Sequence, residues 1–172
     1  MQEKPNTGSV KKYRLWLLLA LSLVAIDLAM KNMVLRFPPA PTMNGGLVTL
    51  GLHKNPGILF DIPVPQPLLW VVTIILIVIL GRIAGRERIR NPRAALGALI
   101  TIVGSMGNFI DRLTNGFTTD YLLLWGGSAV NLSDLVILGG LFVLITAQHR
   151  TSRTVSSTEN HDETLTKQKK PV

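Results

Sequence analysis

Four apolar segments constrain the fold of this chain more than any other feature of its sequence. They cover residues 15–35, 67–85, 94–110 and 131–147. A run of about 20 apolar residues is long enough to cross the ~30 Å hydrocarbon core of a bilayer as an α-helix. A hydrophobic share of 47% and a charged share of only 16% agree with several such segments. The sequence therefore predicts an all-α membrane protein with four transmembrane helices.

The first apolar segment follows a basic stretch, which is also how a cleaved signal peptide begins. The segment is too long for the apolar part of a typical signal peptide. It also carries Asp27 and Lys31 in its second half, and no small-residue cleavage pattern follows it. We therefore expect a retained transmembrane helix.

Two stretches between the apolar segments favour a small β element. Residues 36–66 contain six prolines and four glycines, together with an alternating apolar piece at residues 47–52. This composition is typical of short strands and turns, with a tight turn at residues 55–57. Residues 111–130 predict an outer hairpin, because a strand-like apolar run is followed by two consecutive glycines.

The positive residues predict how the chain is oriented in the membrane. Fourteen of the 18 Lys and Arg residues lie in the N-terminal stretch, in the loop at residues 82–93 or in the C-terminal tail, and only three lie in the other two loops. Because cytoplasmic loops carry the excess of Lys and Arg, both termini are expected in the cytoplasm, with the β element outside. We expect a disordered cytoplasmic N-terminus at residues 1–14, a membrane domain at 15–147 and a disordered cytoplasmic tail at 148–172. The protein is expected to be a monomer.

Composition also excludes several classes of function. The chain has no cysteine, so it contains no disulfide, thiolate metal site or cysteine nucleophile. Its three histidines have no metal-ligand spacing, and we expect neither a metal nor another cofactor. The net charge of +8 does not indicate a nucleic-acid partner, because the basic residues flank the apolar segments.

A polar cluster at residues 104–134 is the candidate site, since polar residues at the edge of a membrane span are costly to keep. It includes Asp120, in the predicted hairpin, and Asp134, at the start of the fourth span. If the hairpin folds back onto that helix, the two carboxylates can share a proton and act as general base and general acid. In the alternative interpretation, Asp134 forms a capping box with Asn131, and Asp120 is a solvated hairpin residue.

Further polar residues of the chain have two possible interpretations each. Asn108, Asp111 and Arg112 share one helix face and either orient a substrate or end the helix, with an Asp–Arg ion pair. Asp27 and Lys31 have the i, i+4 spacing of an ion pair, which favours a structural role. Asn55 and Gly57 indicate either a tight turn or a contact with a substrate backbone.

Taken together, the polar motifs resemble those of lipoprotein signal peptidase, or signal peptidase II. The resemblance covers roughly residues 15–147 and rests on an ordered set: Asp27-x3-Lys31, Asn55-x-Gly57-x2-Phe60, Gly107-Asn108-x2-Asp111-Arg112, Thr119-Asp120-Tyr121 and Asn131-x2-Asp134. It implies a metal-free aspartic endopeptidase, multi-pass in the bacterial inner membrane, with its active site at the outer face. Asp120 and Asp134 would be the catalytic pair. The remaining motif residues would bind substrate or position the acids: Asn55, Gly57, Asn108, Asp111, Arg112 and Asn131.

The resemblance also implies the substrate and the partners. The enzyme would cleave prolipoproteins just before a diacylglyceryl-modified cysteine, in contact with membrane lipids. The chain departs from the family at flanking positions. It has Leu59 before the motif phenylalanine where the family usually has alanine, and Ser133 where alanine is common. It also reads Thr118-Thr119-Asp120-Tyr121 where the family usually reads Val-Val-Asp-Phe.

Two other functions are compatible with the same residues. A small transporter or channel subunit could use Asp27, Lys31 and Asp111 as a polar pathway, which requires them to line a lumen. A member of the family could also bind signal peptides without cleaving them.

Overall fold

Four long helices dominate the computed structural model, which describes residues 7–39, 47–57, 62–125 and 127–149. Each helix is long and apolar enough to cross a membrane, which confirms the predicted count of spans. The tail beyond residue 149 and the first six residues, for which disorder was expected, lie outside the described residues. The helices are α1 (Thr7–Arg36), α2 (Gln66–Arg90), α3 (Pro92–Asn115) and α4 (Leu132–His149).

The helices extend further than the apolar segments. Helix α1 begins at Thr7, where a disordered stretch up to residue 14 was expected. Helix α2 continues to Arg90 and α3 begins at Pro92, so the basic loop expected at residues 82–93 is reduced to Asn91, whose side chain caps α3. Hydropathy marks where a chain leaves the hydrocarbon, whereas a helix continues while its residues favour helical hydrogen bonds, as Lys and Arg do.

Small residues bring the backbones of α3 and α4 into contact. A Cβ atom placed on Gly97 would lie 2.5 Å from the amide nitrogen of Leu144 and 2.8 Å from the carbonyl oxygen of Gly140. A Cβ atom on Gly104 would lie 2.9 Å from the carbonyl oxygen of Ser133. Small residues in α3 thus permit close contact between the backbones of the two helices.

A three-stranded antiparallel sheet joins the two predicted β regions. Its strands are β1 (Val48–Asn55), β2 (Thr118–Leu124) and β3 (Ala129–Val130), in the order β1-β2-β3. The β2–β3 hairpin agrees with the prediction, but it starts later than residue 111, because α3 continues to Asn115 and ends at a left-handed Gly116. Pairing of β1 with β2 places His53 opposite Asp120 and Asn55 opposite Thr118.

A buried cation connects α1 to α3 beneath this sheet. The side chain of Lys31 is only 2% exposed, and its Nζ lies 2.9 Å from Asp27 Oδ2 and 3.4 Å from Asp111 Oδ2. Nζ also donates a 2.8 Å hydrogen bond to Asn108 Oδ1. The expected i, i+4 ion pair within α1 is therefore present, and it extends to a second helix.

Replacing this cation tests how far the fold depends on it. We expect Lys31→Met to lower the free energy of unfolding by about 3–5 kcal/mol, because it leaves two buried carboxylates without their counterion. Thermal unfolding in detergent measures the effect, with Lys12→Met, at an exposed position of α1, as the matched control. Equal unfolding temperatures for the two variants would contradict this expectation.

The orientation predicted from the positive residues has a direct test, because the chain contains no cysteine of its own. Single-cysteine variants at Leu47, beside the sheet, and at Arg86, near the end of α2, report the two sides of the membrane. In intact cells, a membrane-impermeant maleimide should label Leu47→Cys and leave Arg86→Cys unlabelled until the cells are lysed. The reverse pattern would overturn the predicted orientation.

Candidate active site

The structure places the two predicted catalytic aspartates on either side of Asn131. Asp120 lies in β2 and is 2% exposed. Asp134 lies in the first turn of α4. The side-chain Nδ2 of Asn131 donates to Asp120 Oδ1 at 2.6 Å, and its backbone N–H donates to Asp134 Oδ2 at 3.1 Å. The hairpin therefore does fold back onto the start of the fourth helix.

The capping box considered for Asp134 is also present. The backbone N–H of Asp134 donates to Asn131 Oδ1 at 3.0 Å, which reciprocates the bond from the Asn131 N–H. A capping box satisfies two of the N–H groups that a helix start leaves without partners. Here the same two bonds hold the Asp134 carboxylate beside Asp120, so the structural and the catalytic interpretation are compatible.

Strand β1 supplies the second donor to Asp120. Asn55 Nδ2 donates to Asp120 Oδ2 at 3.2 Å. Burial of the carboxyl and the nearby charge of Asp134 raise the pKa of Asp120 to about 6, against the lowering effect of the two asparagine donors. Asp120 is thus a carboxyl group that keeps its proton at a higher pH than an exposed aspartate.

Asn108 connects the buried cation to Asp134. Its Oδ1 accepts from Lys31 Nζ, and its Nδ2 donates to Asp134 Oδ1 at 2.7 Å. The ammonium group of Lys31 can only donate, so it binds the amide oxygen of Asn108. The NH₂ group of Asn108 then faces Asp134. Asn108 therefore links the buried ammonium group to the Asp134 carboxylate.

Asp111 attaches the strand that carries Asp120 to α3. It accepts from the backbone N–H of Thr119 at 2.6 Å and from Thr119 Oγ1 at 3.2 Å. Among the described residues its ion-pair partner is Lys31 and not Arg112, although Arg112 does lie in the last turn of α3, as the helix-end interpretation expected. The lysine already supplies the charge that Asp111 needs.

Arg112 reaches across to the turn after β1 instead. Its Nη2 donates to the carbonyl oxygen of Gly57 at 2.9 Å. The N–H of Gly57 donates to Asn55 Oδ1 at 2.9 Å, which is the turn chemistry expected of an asparagine two residues before a glycine. A side chain at Gly57 would overlap the carbonyl oxygen of Ile62, so this turn requires glycine.

Asp27 has more partners than the sequence indicated. Besides the ion pair with Lys31, it accepts from Tyr121 OH at 2.9 Å, Ser133 Oγ at 2.7 Å and the backbone N–H of Leu132 at 2.9 Å. Burial and the charge of Asp27 raise the pKa of the Tyr121 hydroxyl, which therefore remains a donor. The sequence reasoning missed the roles of Tyr121 and Ser133, because their contacts span 94 and 106 residues and follow no local spacing.

The polar pathway considered for a transporter requires a lumen. In the described residues, Asp27, Lys31 and Asp111 are at most 2% exposed and contact one another or neighbouring donors. Side chains that are enclosed and paired in this way do not line an open path. Their contacts instead lead to Asp134 and to the strand that carries Asp120, at one end of the helices.

Comparison with known proteins identifies the family. The family model described as signal peptidase (SPase) II matches residues 19–150. A lipoprotein signal peptidase from Allorhizobium ampelinum is 32% identical over 139 residues, which is 75% of this chain and 85% of the relative. One from Moorella thermoacetica is 32% identical over 133 residues, which is 75% of this chain and 89% of that relative.

The fold is also found among solved structures. A bacterial membrane enzyme solved by the in meso method at 2.3 Å resolution aligns with a TM-score of 0.71 at 19% sequence identity, covering 88% of this chain and 94% of that one. At this identity the likeness shows the shared fold alone. The family match covers α1 from residue 19 onward, the other three helices and the sheet, and so the chain belongs to the signal peptidase II family of signal-peptide-cleaving membrane peptidases.

Proposed function

We propose that this protein is an aspartic endopeptidase in which Asp120 and Asp134 form the catalytic pair. The observation that carries the proposal is the pair of hydrogen bonds from Asn131, one to each carboxylate. The charge of Asp134 raises the pKa of Asp120, and two carboxyl groups that repel each other in this way cannot both ionise cheaply, so the pair retains one proton. A shared proton lets one group act as a base while the other acts as an acid.

The reaction proposed for this pair is hydrolysis of a peptide bond. The ionised carboxylate removes a proton from a water molecule, whose oxygen bonds to the peptide carbonyl carbon, while the protonated carboxyl donates to the carbonyl oxygen. The C–N bond then breaks, and the amine leaves with a proton returned from the pair. Four N–H donors keep both carboxylates in place during these transfers. They are the side-chain amides of Asn55, Asn108 and Asn131 and the backbone N–H of Asn131.

Arg112 is the group we propose to hold the substrate backbone. One of its nitrogens binds Gly57, but its buried Nε has no hydrogen-bond partner among the described residues. A buried donor without a partner is costly in free energy, and a substrate carbonyl oxygen would satisfy it. Asn55 and Gly57 then form one wall of the site through the turn to which Arg112 binds.

An apolar groove beside the site supports a membrane-embedded substrate. It lies mainly between α1 and α4, has a volume of about 410 Å³ and is lined by residues that include Leu19, Leu23, Leu135 and Phe142. It reaches Leu132, in the same helix turn as Asp134. The substrate we propose is a prolipoprotein, since the curated relatives are named lipoprotein signal peptidases. Its apolar signal segment is then cleaved just before the diacylglyceryl-modified cysteine.

The predicted orientation completes this proposal. With both termini in the cytoplasm, the sheet and the two aspartates face the outer side of the bacterial cytoplasmic membrane. Asp134 lies within the first turn of α4, a rise of about 3 Å from the start of that helix at Leu132. A scissile bond next to a lipid-modified cysteine is held at this depth by the acyl chains of the substrate. We propose that the enzyme acts there as a monomer.

Substituting each aspartate separately tests the proposed pair. We expect Asp120→Asn and Asp134→Asn each to lower cleavage of a lipid-modified prolipoprotein in proteoliposomes by about 10⁴-fold or more, since neither variant retains both an acid and a base. Glu87→Gln, which changes a carboxylate near the far end of α2, is the control and should cleave normally. Cleavage near the wild-type rate by either aspartate variant would rule out this mechanism. Cleavage by the wild type would in turn exclude the alternative of a protein that binds signal peptides without cleaving them.

The raised pKa of Asp120 makes a separate prediction about stability. A carboxyl whose pKa rises from 3.8 to about 6 on folding binds its proton more tightly in the folded protein. Between about pH 4 and pH 6 the folded state therefore holds more protons than the unfolded state, and stability falls as pH rises. The unfolding temperature of the wild type should decrease across this window relative to Asp120→Asn, whose amide does not titrate. Parallel pH curves would contradict the pKa assignment.

A further inference from the structure

Two buried hydroxyl groups contact the same carboxylate from different elements of the fold. Tyr121, in β2, donates to Asp27 Oδ1, and Ser133, in α4, donates to Asp27 Oδ2. Both side chains are at most 2% exposed, and Asp27 is fully buried. Asp27 thus connects the sheet to the start of α4 through one side chain of α1.

Each of these hydroxyl residues is adjacent in sequence to one of the two site aspartates. Tyr121 directly follows Asp120, and successive side chains of a strand point to opposite faces. Holding the tyrosine against α1 therefore fixes which way the strand presents Asp120. Ser133 directly precedes Asp134, so its bond to Asp27 fixes the rotation of the first turn of α4. The backbone N–H of Leu132 adds a third bond from this turn to Asp27.

The structure makes room for the serine, because a side chain at Gly107 would overlap Ser133 Oγ. The two hydroxyls meet on one carboxylate although they lie on different elements, which indicates that they act together. Tyr121→Phe and Ser133→Ala keep the frame of each side chain and remove only its hydroxyl.

We infer that Tyr121 and Ser133 are positioning residues that set the distance and orientation between Asp120 and Asp134 through their shared partner Asp27. The inference rests on the proposed function of the two aspartates. Neither hydroxyl is exposed to a substrate, so both act on the catalytic step and not on substrate binding. Removing the Tyr121 hydroxyl takes from Asp27 Oδ1 its bond to the sheet, and removing the Ser133 hydroxyl takes from Oδ2 its bond to α4. Either change weakens the connection that Asp27 makes between the two elements that carry Asp120 and Asp134.

The test compares Tyr121→Phe, Ser133→Ala and the double variant with the wild type in proteoliposomes, using a lipid-modified prolipoprotein as substrate. A small displacement of the reacting groups lowers the rate of the chemical step strongly. Each single variant should therefore lower kcat by about tenfold with KM unchanged. The double variant should lose about as much as the less active single variant, because the two hydroxyls act through one carboxylate. Tyr13→Phe and Thr146→Val remove hydroxyls far from the site on α1 and α4 and serve as matched controls.

The outcomes separate this inference from the proposed function. If Asp120→Asn is inactive but both hydroxyl variants keep the kcat of the wild type, the positioning role is wrong and the catalytic pair stands. If Asp120→Asn cleaves normally, the proposed function fails whatever the hydroxyl variants do. A loss confined to KM, or independent losses that multiply in the double variant, would also overturn the inference. Lowered unfolding temperatures with unchanged kcat would show a role in stability alone.

Discussion

Neutralisation of one buried cation is the interaction on which the rest of this structure depends. Lys31 is enclosed within a membrane span, where an uncompensated charge is costly. Two carboxylates and one amide oxygen surround its ammonium group: those of Asp27, Asp111 and Asn108. Each of these groups has further partners in other elements. Satisfying the lysine therefore brings α1, α3, α4 and the sheet into fixed relative positions.

From this centre the contacts reach both site aspartates by separate routes. Asn108 links Lys31 to Asp134, and Asp111 links Lys31 to the backbone of Thr119, next to Asp120. Buried polar networks rigidify a protein when every member has its partners. A site that must hold two acids together against their repulsion gains from such a support, because like charges would otherwise move apart.

Two asparagines of the site shape the backbone with one atom of the side-chain amide and bind Asp120 with the other. Asn131 caps α4 and also binds Asp120, and Asn55 shapes a turn through its Oδ1 while its Nδ2 contacts Asp120. Local sequence signals for caps and turns were correct at these positions. They did not reveal the second contact, because an amide side chain has both a donor and an acceptor, and only the folded chain decides where the other one points.

The sequence by itself determined the four spans, the hairpin, the Asp27–Lys31 pair and the set of polar motifs, since hydropathy, turn residues and helical spacing are local properties. The tertiary structure alone decided that β1 pairs with β2, that Asp111 binds Lys31 and not Arg112, and that Tyr121 and Ser133 meet on Asp27. These contacts join residues that are far apart in the chain. They depend on how helices and strands pack to satisfy buried charges, which no local pattern records.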